Sequence, residues 1–171
     1  MRKTSIIMMV SCAALALAAC SKKAPEALPP APADTAPPPA PAPAPAPSGP
    51  TPGSRADFLA SVSSDRVFFE LDKSDIADSE KATLQSQAAW LAKYPNVRVT
   101  IEGHADERGT REYNLALGER RANAAKNFLA SLGVDASRLT TISYGKERPD
   151  AVGSDEAAWA KNRRAVSVIV E

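Results

Sequence analysis

Four short stretches after residue 66 carry the side chains that are typical of β-strands. The run Val67–Leu71 is mostly aromatic and aliphatic, as in a short buried strand. In residues 97–102, apolar residues at odd positions alternate with polar residues at even positions, which indicates a strand with one covered face. Residues 140–144 and 165–170 have a similar composition. We therefore expect four strands.

A first helix is predicted between the first two strands. Leucine and alanine recur there at helical spacing, so one face of the segment is apolar. Asp78 or Ser79 has the side chain of a helix N-cap, and Pro95 prevents continuation beyond about Lys93.

A longer helix is predicted from about Glu112 to Leu132, with Gly133 placed where a C-terminal cap belongs. Ser154 could cap a short third helix that ends near Asn162. The predicted inner face of the long helix is one stripe: Tyr113, Leu117, Ala124, Phe128 and Leu132.

The order of these elements indicates an α+β domain. Strands alternate with helices along the chain, so a single sheet with its helices on one face would bury both apolar surfaces. Residues 55–171 number 117, enough for one compact domain and too few for two.

The N-terminal segment has the pattern of a signal peptide. Arg2 and Lys3 precede an apolar run over residues 6–19, which is shorter than the roughly 20 residues that a membrane span needs. Small residues lead directly into Cys20, as in the bacterial lipoprotein box, whose cysteine is lipidated and becomes the mature N-terminus. The alternative is an ordinary secretory signal that leaves a free cysteine. On the first reading, residues 1–19 are removed and Cys20 carries the anchor.

Residues 20–54 are predicted to be a disordered linker rich in proline and alanine. Thirteen of the 15 prolines in the chain lie between Pro25 and Pro52, and large apolar residues are almost absent there. Such a segment cannot bury enough surface to fold, and it extends by about 3.1 Å per residue as a semi-rigid spacer. The domain at 55–171 would then be held away from a lipid surface.

Charge and cysteine usage exclude several classes of protein. Residues 55–171 contain 17 Lys and Arg against 18 Asp and Glu, so the domain lacks the basic surplus of a nucleic-acid-binding protein. The two cysteines, Cys12 and Cys20, precede the domain, and His104 is its one histidine. These counts exclude a disulfide, a thiolate nucleophile and a zinc site of cysteines or several imidazoles. We expect no metal and no cofactor.

Charged groups and glycines cluster where the second strand should end and the long helix should begin. Asp106 and Arg121 are 15 residues apart, so a loop and a descending helix could bring them abreast. A carboxylate that takes an ammonium and a guanidinium that grips a carboxylate would suit a zwitterionic ligand. A salt bridge that only holds the loop to the helix is the equally open alternative.

Several long motifs, in one order, resemble the peptidoglycan-associated lipoproteins of the OmpA-like domain family. The resemblance covers essentially all of Val67–Glu171. The motifs are Phe69-Glu-Leu-Asp-Lys73, Glu102-Gly-His-Ala-Asp-Glu-Arg-Gly-Thr110, Glu119-Arg-Arg-Ala-Asn123, Ser143-Tyr-Gly-Lys-Glu147, Asp155-Glu-Ala-Ala158 and Lys161-Asn-Arg-Arg164.

The resemblance implies a mixed, roughly four-stranded sheet and a function without catalysis. It implies noncovalent binding of the peptidoglycan stem peptide, centred on meso-diaminopimelate, with Asp106 and Arg121 gripping that residue. Leu71 and Asp72 would add contacts to the same ligand. We place four further residues around the pair in supporting roles: His104, Asn114, Arg163 and Arg164.

The resemblance also implies partners and a location. The domain would face the periplasm, anchored in the outer membrane through lipid on Cys20, and would bind peptidoglycan or, alternatively, TolB and through it the Tol complex. Envelope integrity and constriction of the outer membrane at cell division would depend on this tether.

Other roles for the charged residues remain to be weighed. A wall-cleaving enzyme would need a carboxyl of raised pKa, whereas the acids near Arg108 and Arg111 should stay ionised. A lipoprotein without a ligand is the third hypothesis. Arg108 is expected to be solvated or to contact a partner, and His104 to pack rather than to bind metal or act as a base. For a ligand-binding pair, Arg121→Ala should leave the fold intact and abolish wall binding.

Overall fold

The structure, a computed structural model, describes residues 49–170 and contains four α-helices and four strands in that part of the chain. The elements are α1 (Arg55–Ser61), β1 (Arg66–Phe68), α2 (Asp78–Lys93), β2 (Arg98–His104), α3 (Arg111–Ser131), a 3₁₀ turn (Ala136–Arg138), β3 (Leu139–Gly145), α4 (Glu156–Asn162) and β4 (Arg164–Val170).

The four strands form one mixed sheet in the order β1-β4-β2-β3. β2 and β3 are parallel, with Ile101 opposite Thr141, whereas β4 runs antiparallel to both β1 and β2. The connection from β2 to β3 is the long helix α3, as a parallel pair requires. The predicted α+β class and the mixed four-stranded sheet are confirmed.

Three predicted element boundaries need correction. β1 ends at Phe68 rather than Leu71, because the chain turns there: the Lys73 amide donates to the Glu70 carbonyl at 3.2 Å and Asp72 has a φ of 56°. The predicted caps of two helices were wrong.

The observed caps lie one or two residues from the predicted ones. α2 begins after Ala77, which has no side-chain cap, while Asp78 pairs with Lys81 inside the first turn. α4 is capped by Asp155, whose carboxylate accepts from the Ala158 amide at 2.8 Å, and not by Ser154.

The buried face of α3 differs from the predicted apolar stripe. Tyr113 and Leu132 are exposed. The face that packs on the sheet contains polar and small residues as well as leucines, and a prediction from hydrophobicity alone does not identify the polar and small ones. Its buried residues are Asn114, Leu117, Gly118, Arg121, Ala122, Ala125 and Leu129. The cap at Gly133 is confirmed, with a φ of 94°.

The core lies between the helices and one face of the sheet. Leu84 and Leu91 of α2, Ile101 of β2 and Leu129 of α3 are almost fully buried in it. The helix α1, which sequence reasoning missed, adds Phe58, whose ring meets Trp90 edge to face at 5.0 Å between centroids.

A close contact between two glycines sets the distance from α3 to β2. A Cβ on Gly103 would overlap the Gly118 carbonyl, so no larger residue fits at this crossing. The contact brings the helix directly onto the end of β2. Arg121, one turn along α3, therefore lies beneath the loop that carries Asp106.

The predicted signal peptide, the lipidation at Cys20 and the linker up to residue 48 lie outside the described residues. Between residues 49 and 170, no helix combines the length and the apolar character that a membrane crossing would require.

Candidate functional site

Asp106 is a buried carboxylate just beyond the end of β2. Its residue is 5% exposed, and its two charged partners within 4 Å are Arg108, at 2.6 Å, and Arg163, at 3.5 Å. Burial alone would raise the pKa of Asp106, but hydrogen bonds from the side chain and amide of Arg108 hold it below its ordinary value. Asp106 is therefore an anion at neutral pH.

Arg121 is fully buried on the inner face of α3. Its guanidinium donates to three backbone carbonyls: Nε to Lys73 at 2.8 Å, Nη1 to His104 at 2.9 Å and Nη2 to Glu70 at 3.1 Å. Burial lowers the pKa of Arg121 to about 10, opposed by the charge of Asp106. The side chain stays charged at neutral pH and joins the turn after β1 to the end of β2.

The structure brings Asp106 and Arg121 into one charged cluster but does not pair them directly. The ion pairs of Asp106 go to other arginines, so the alternative of a salt bridge from this carboxylate to the helix is not formed. Three of the five guanidinium N–H groups of Arg121 are engaged, which leaves two for other acceptors. Its role toward a ligand stays a prediction.

The burial of Arg121 argues against the expectation that Arg121→Ala is neutral for the fold. The substitution would leave three carbonyls without their donor and open a cavity, so we expect it to destabilise the domain. Lysine cannot reproduce three divergent donors either. Neither substitution separates ligand binding from folding.

A surface pocket of about 590 Å³ opens beside this cluster. Leu71 and Asp72, the two residues expected to add ligand contacts, line it. The rest of its lining comes from the start of α3 and the preceding loop: Arg108, Gly109, Thr110 and Tyr113. The Tyr113 hydroxyl donates to the Asp72 carboxylate at 3.3 Å. The pocket thus has an anionic and an aromatic wall.

Arg108, expected to be solvated or to contact a partner, is partly exposed and also makes contacts within the domain. Its Nη2 and Nε donate to the two oxygens of Asp106, at 2.6 Å and 3.2 Å. Its guanidinium also stacks on the Trp159 ring, 4.0 Å from the centroid. Arg108 therefore both lines the pocket and covers the buried carboxylate.

Two of the expected supporting residues do hold the site together. Asn114 is buried in the first turns of α3 and donates to the Arg108 carbonyl at 2.7 Å, which fixes the loop. Arg163 donates to the Phe69 carbonyl at 3.0 Å and to Glu156 at 2.7 Å, in addition to its contact with Asp106.

The other two supporting residues lie apart from the pocket. The ring centroids of His104 and Tyr144 are 5.6 Å apart on the sheet face away from α3. Side chains alternate between the two faces along β3, and the Ser143 hydroxyl donates to a carbonyl of α3, so the next residue, Tyr144, lies on the opposite face. Arg164 donates to the Asn162 and Arg148 carbonyls at 3.4 and 3.3 Å. Only the backbone carbonyl of His104 reaches the site, through Arg121.

His104 is a neutral, packed imidazole. Burial and the nearby charge of Arg164 lower its pKa to about 4. Neither ring nitrogen meets hydrogen-bond geometry with a protein partner, and the Glu102 carboxylate is 3.7 Å from Nε2. In residues 49–170, no group of three His, Cys, Asp or Glu side chains could hold a metal ion.

Sequence reasoning missed Tyr113, Glu156 and Trp159 as parts of the site's surroundings. The helical spacing of Tyr113 predicts a core residue, whereas its place in the first turn after a glycine-containing loop is the signal that points to the pocket. The Trp159 indole donates to Glu107 at 2.9 Å and supports Arg108 from below. No local pattern predicts that contact, since 51 positions separate Arg108 and Trp159 in the printed sequence.

The chain is similar to known proteins over the region just described. The model of the OmpA family matches residues 68–163. The peptidoglycan-associated lipoprotein of Agrobacterium fabrum is 60% identical over 119 residues, covering 70% of this chain and 67% of that protein. Its counterpart in Brucella melitensis is 59% identical over 119 residues, or 70% of each chain.

Solved structures show the same fold. The crystal structure of the peptidoglycan-associated lipoprotein from Burkholderia pseudomallei superposes with a TM-score of 0.61 and 44% identity, covering 66% of this chain and 93% of that one. The C-terminal domain of Helicobacter pylori MotB has a TM-score of 0.59 at 23% identity over 63% of this chain and 84% of that domain, which shows the fold alone.

Proposed function

The chain belongs to the OmpA family, and we propose on this basis that it binds peptidoglycan noncovalently and anchors the envelope layers to one another. The names of the relatives at about 60% identity support this proposal. The observation that carries it is Asp106, an ionised carboxylate buried next to an open pocket, which is itself lined by Asp72 and Tyr113 among others.

The ligand group that we propose for this pocket is the zwitterionic end of meso-diaminopimelate in the stem peptide. Its ammonium would pair with Asp106, which is anionic at neutral pH. Its carboxylate would accept from the two free N–H groups of Arg121, which requires the neighbouring loop to move enough to expose them. Leu71 and Asp72 would contact the remainder of the residue from the pocket wall.

The N-terminal region completes a tether in this proposal. Residues 1–19 are the signal peptide, Cys20 carries the lipid, residues 20–54 are the spacer and residues 55–171 form the wall-binding domain. Two or more acyl chains give stable membrane attachment, whereas one chain gives marginal attachment. The lipid would lie in the outer membrane and the domain would face the periplasm.

The proposed partners follow from the same family. Peptidoglycan and TolB would compete for overlapping surfaces, so wall binding and engagement of the Tol complex would be alternative states of the tether. This exchange would let the outer membrane follow constriction at cell division. We propose no catalysis: the lowered pKa of Asp106 and of Glu107 suits ion pairing and is unfavourable for an acid catalyst.

A pelleting assay with isolated peptidoglycan sacculi tests the function. Asp106→Asn keeps the shape and one acceptor oxygen but removes the charge, and we expect wall affinity to fall about tenfold or more. Asp135→Asn is the matched control: Asp135 caps the 3₁₀ turn by accepting from the Ser137 amide at 2.8 Å, and asparagine caps equally well. Equal pelleting of the two variants would contradict the proposed site.

A further inference from the structure

Arg108 occupies the place where a ligand cation would have to bind. Its side chain is 34% exposed, whereas the carboxylate beneath it is 6% exposed. The two oxygens of Asp106 accept from the Arg108 guanidinium, at 2.6 Å and 3.2 Å. One of these oxygens also accepts from the backbone amide of Arg108, at 3.1 Å. A cation from solution cannot reach Asp106 until this guanidinium moves.

A second carboxylate, that of Glu156, lies within reach of the Arg108 guanidinium. Its Nη1 is 4.0 Å from the exposed Glu156 carboxylate, and its planar group lies 4.0 Å over the Trp159 ring. A small rotation would keep the stacking contact while exchanging Asp106 for Glu156 as the anionic partner. Releasing Asp106 therefore does not leave Arg108 without an acceptor.

We propose that Arg108 is an internal competitor for the ammonium group of the ligand and thereby determines specificity. The proposal rests on the function proposed above. In the free protein the guanidinium neutralises Asp106; on binding, the ligand ammonium takes its place and Arg108 turns toward Glu156. One ion pair is exchanged for another, so the net gain from the ammonium alone is small.

The competition explains how a deeply placed carboxylate can be selective. The Arg108–Asp106 contact is a bidentate, charge-assisted ion pair. The binding free energy of a simple amine is therefore only the difference between its own contact with Asp106 and the Arg108 contact that it displaces. A ligand must therefore bring additional contacts, such as a carboxylate and an aliphatic stem against Leu71, to displace the guanidinium. Arg108 thus lowers the affinity for ligands whose one charged group is a cation.

Calorimetric titration with a disaccharide tripeptide that contains meso-diaminopimelate tests the competition. We expect Arg108→Gln to bind this muropeptide about three- to tenfold more tightly than the wild type, because the competing guanidinium is gone. Arg111→Gln is the matched control: it removes one positive charge three residues away, from an exposed side chain that pairs with Glu147 at 3.3 Å. The same variants are titrated with cadaverine, a diamine without a carboxylate, which should bind more tightly to Arg108→Gln alone.

The possible results separate the two proposals. Binding by the wild type with equal or weaker binding by Arg108→Gln would overturn the competitor role and leave the proposed function standing. A gain that Arg111→Gln shares would also overturn it, because the effect would be one of net charge. Failure of the wild type and of Arg108→Gln to bind would overturn the proposed function and the competition together. Binding by the wild type, with a gain in Arg108→Gln that Arg111→Gln does not share, would support both proposals.

Discussion

At each end of the sheet, one arginine side chain donates hydrogen bonds to three backbone carbonyls, but the groups around the two arginines differ. At one end, Arg121 donates to the carbonyls of Lys73, His104 and Glu70. At the other, Arg138 donates to the carbonyls of Val97, Leu91 and Tyr94, at 2.9, 3.1 and 2.7 Å. In both places one guanidinium replaces several lost backbone partners where chain segments end.

The difference lies in the carboxylates. The Arg121 end contains Asp106, buried and ionised, together with an open pocket, whereas the acid nearest along the chain to Arg138 is Asp135, which is used as a turn cap. An arginine bound to carbonyls is thus a structural clamp at either end. The buried anion beside the pocket is what makes one end a candidate binding site.

The largest expected effect is at Arg121. Arg121→Ala removes three hydrogen bonds from a fully buried position, so we expect it to lower the free energy of unfolding by about 3–5 kcal/mol. Urea denaturation followed by circular dichroism measures this. A loss below 1 kcal/mol would show that the carbonyl contacts carry little weight.

Arg138→Ala tests the arginine at the other end of the sheet, where no binding site is proposed. Because Arg138 is half-buried, we expect a smaller loss of about 2–3 kcal/mol in the free energy of unfolding. Binding to isolated peptidoglycan should remain unchanged at a temperature where the variant is folded. Loss of wall binding in the folded variant would mean that the two ends are not functionally distinct.

A pH titration should affect the site end through His104. Its pKa is about 4 in the folded protein and about 6.5 in the unfolded chain, so the unfolded state binds the extra proton first as pH falls. Stability is fully present above pH 6.5 and decreases toward pH 4, with a loss of about 2 kcal/mol between pH 7 and pH 5.

The control for that titration is His104→Gln, because the chain has one histidine. Asp57, Asp106 and Glu107 have lowered pKa values, so the stability they contribute is lost mainly below their unfolded pKa values near 4. Denaturation midpoints of the variant should therefore vary little between pH 7 and pH 5. An equal slope in the wild type and the variant would exclude His104 as the origin.

The sequence predicts the elements of this fold better than their faces and ends. Strand alternation and helix spacing depend on local patterns, and β2, β3, β4 and α3 lie within one or two residues of their expected bounds. The prediction of the inner face of α3 was wrong because Asn114, Gly118 and Arg121 are buried through contacts with distant segments. Local hydrophobicity does not report such contacts.

Part of the candidate site was predictable as residues, and its geometry was not. The motif around Asp106 and the matched position of Arg121 locate the cluster, and Leu71 and Asp72 do line the pocket. That Arg108 covers Asp106, and that Arg121 is bound to three carbonyls, depends on side-chain orientations that arise only when β1, β2, α3 and α4 pack together.

The central claim, that Asp106 receives the ammonium of a diaminopimelate zwitterion, is tested most directly by titrating two disaccharide tripeptides that differ only at the third residue. One contains meso-diaminopimelate and the other lysine, which lacks the terminal carboxylate. We expect the wild type to prefer the diaminopimelate peptide by about tenfold or more, and Asp106→Asn to lose most of that affinity while Asp135→Asn keeps it. Equal affinity of the wild type for both peptides, or an unchanged affinity in Asp106→Asn, would contradict the claim.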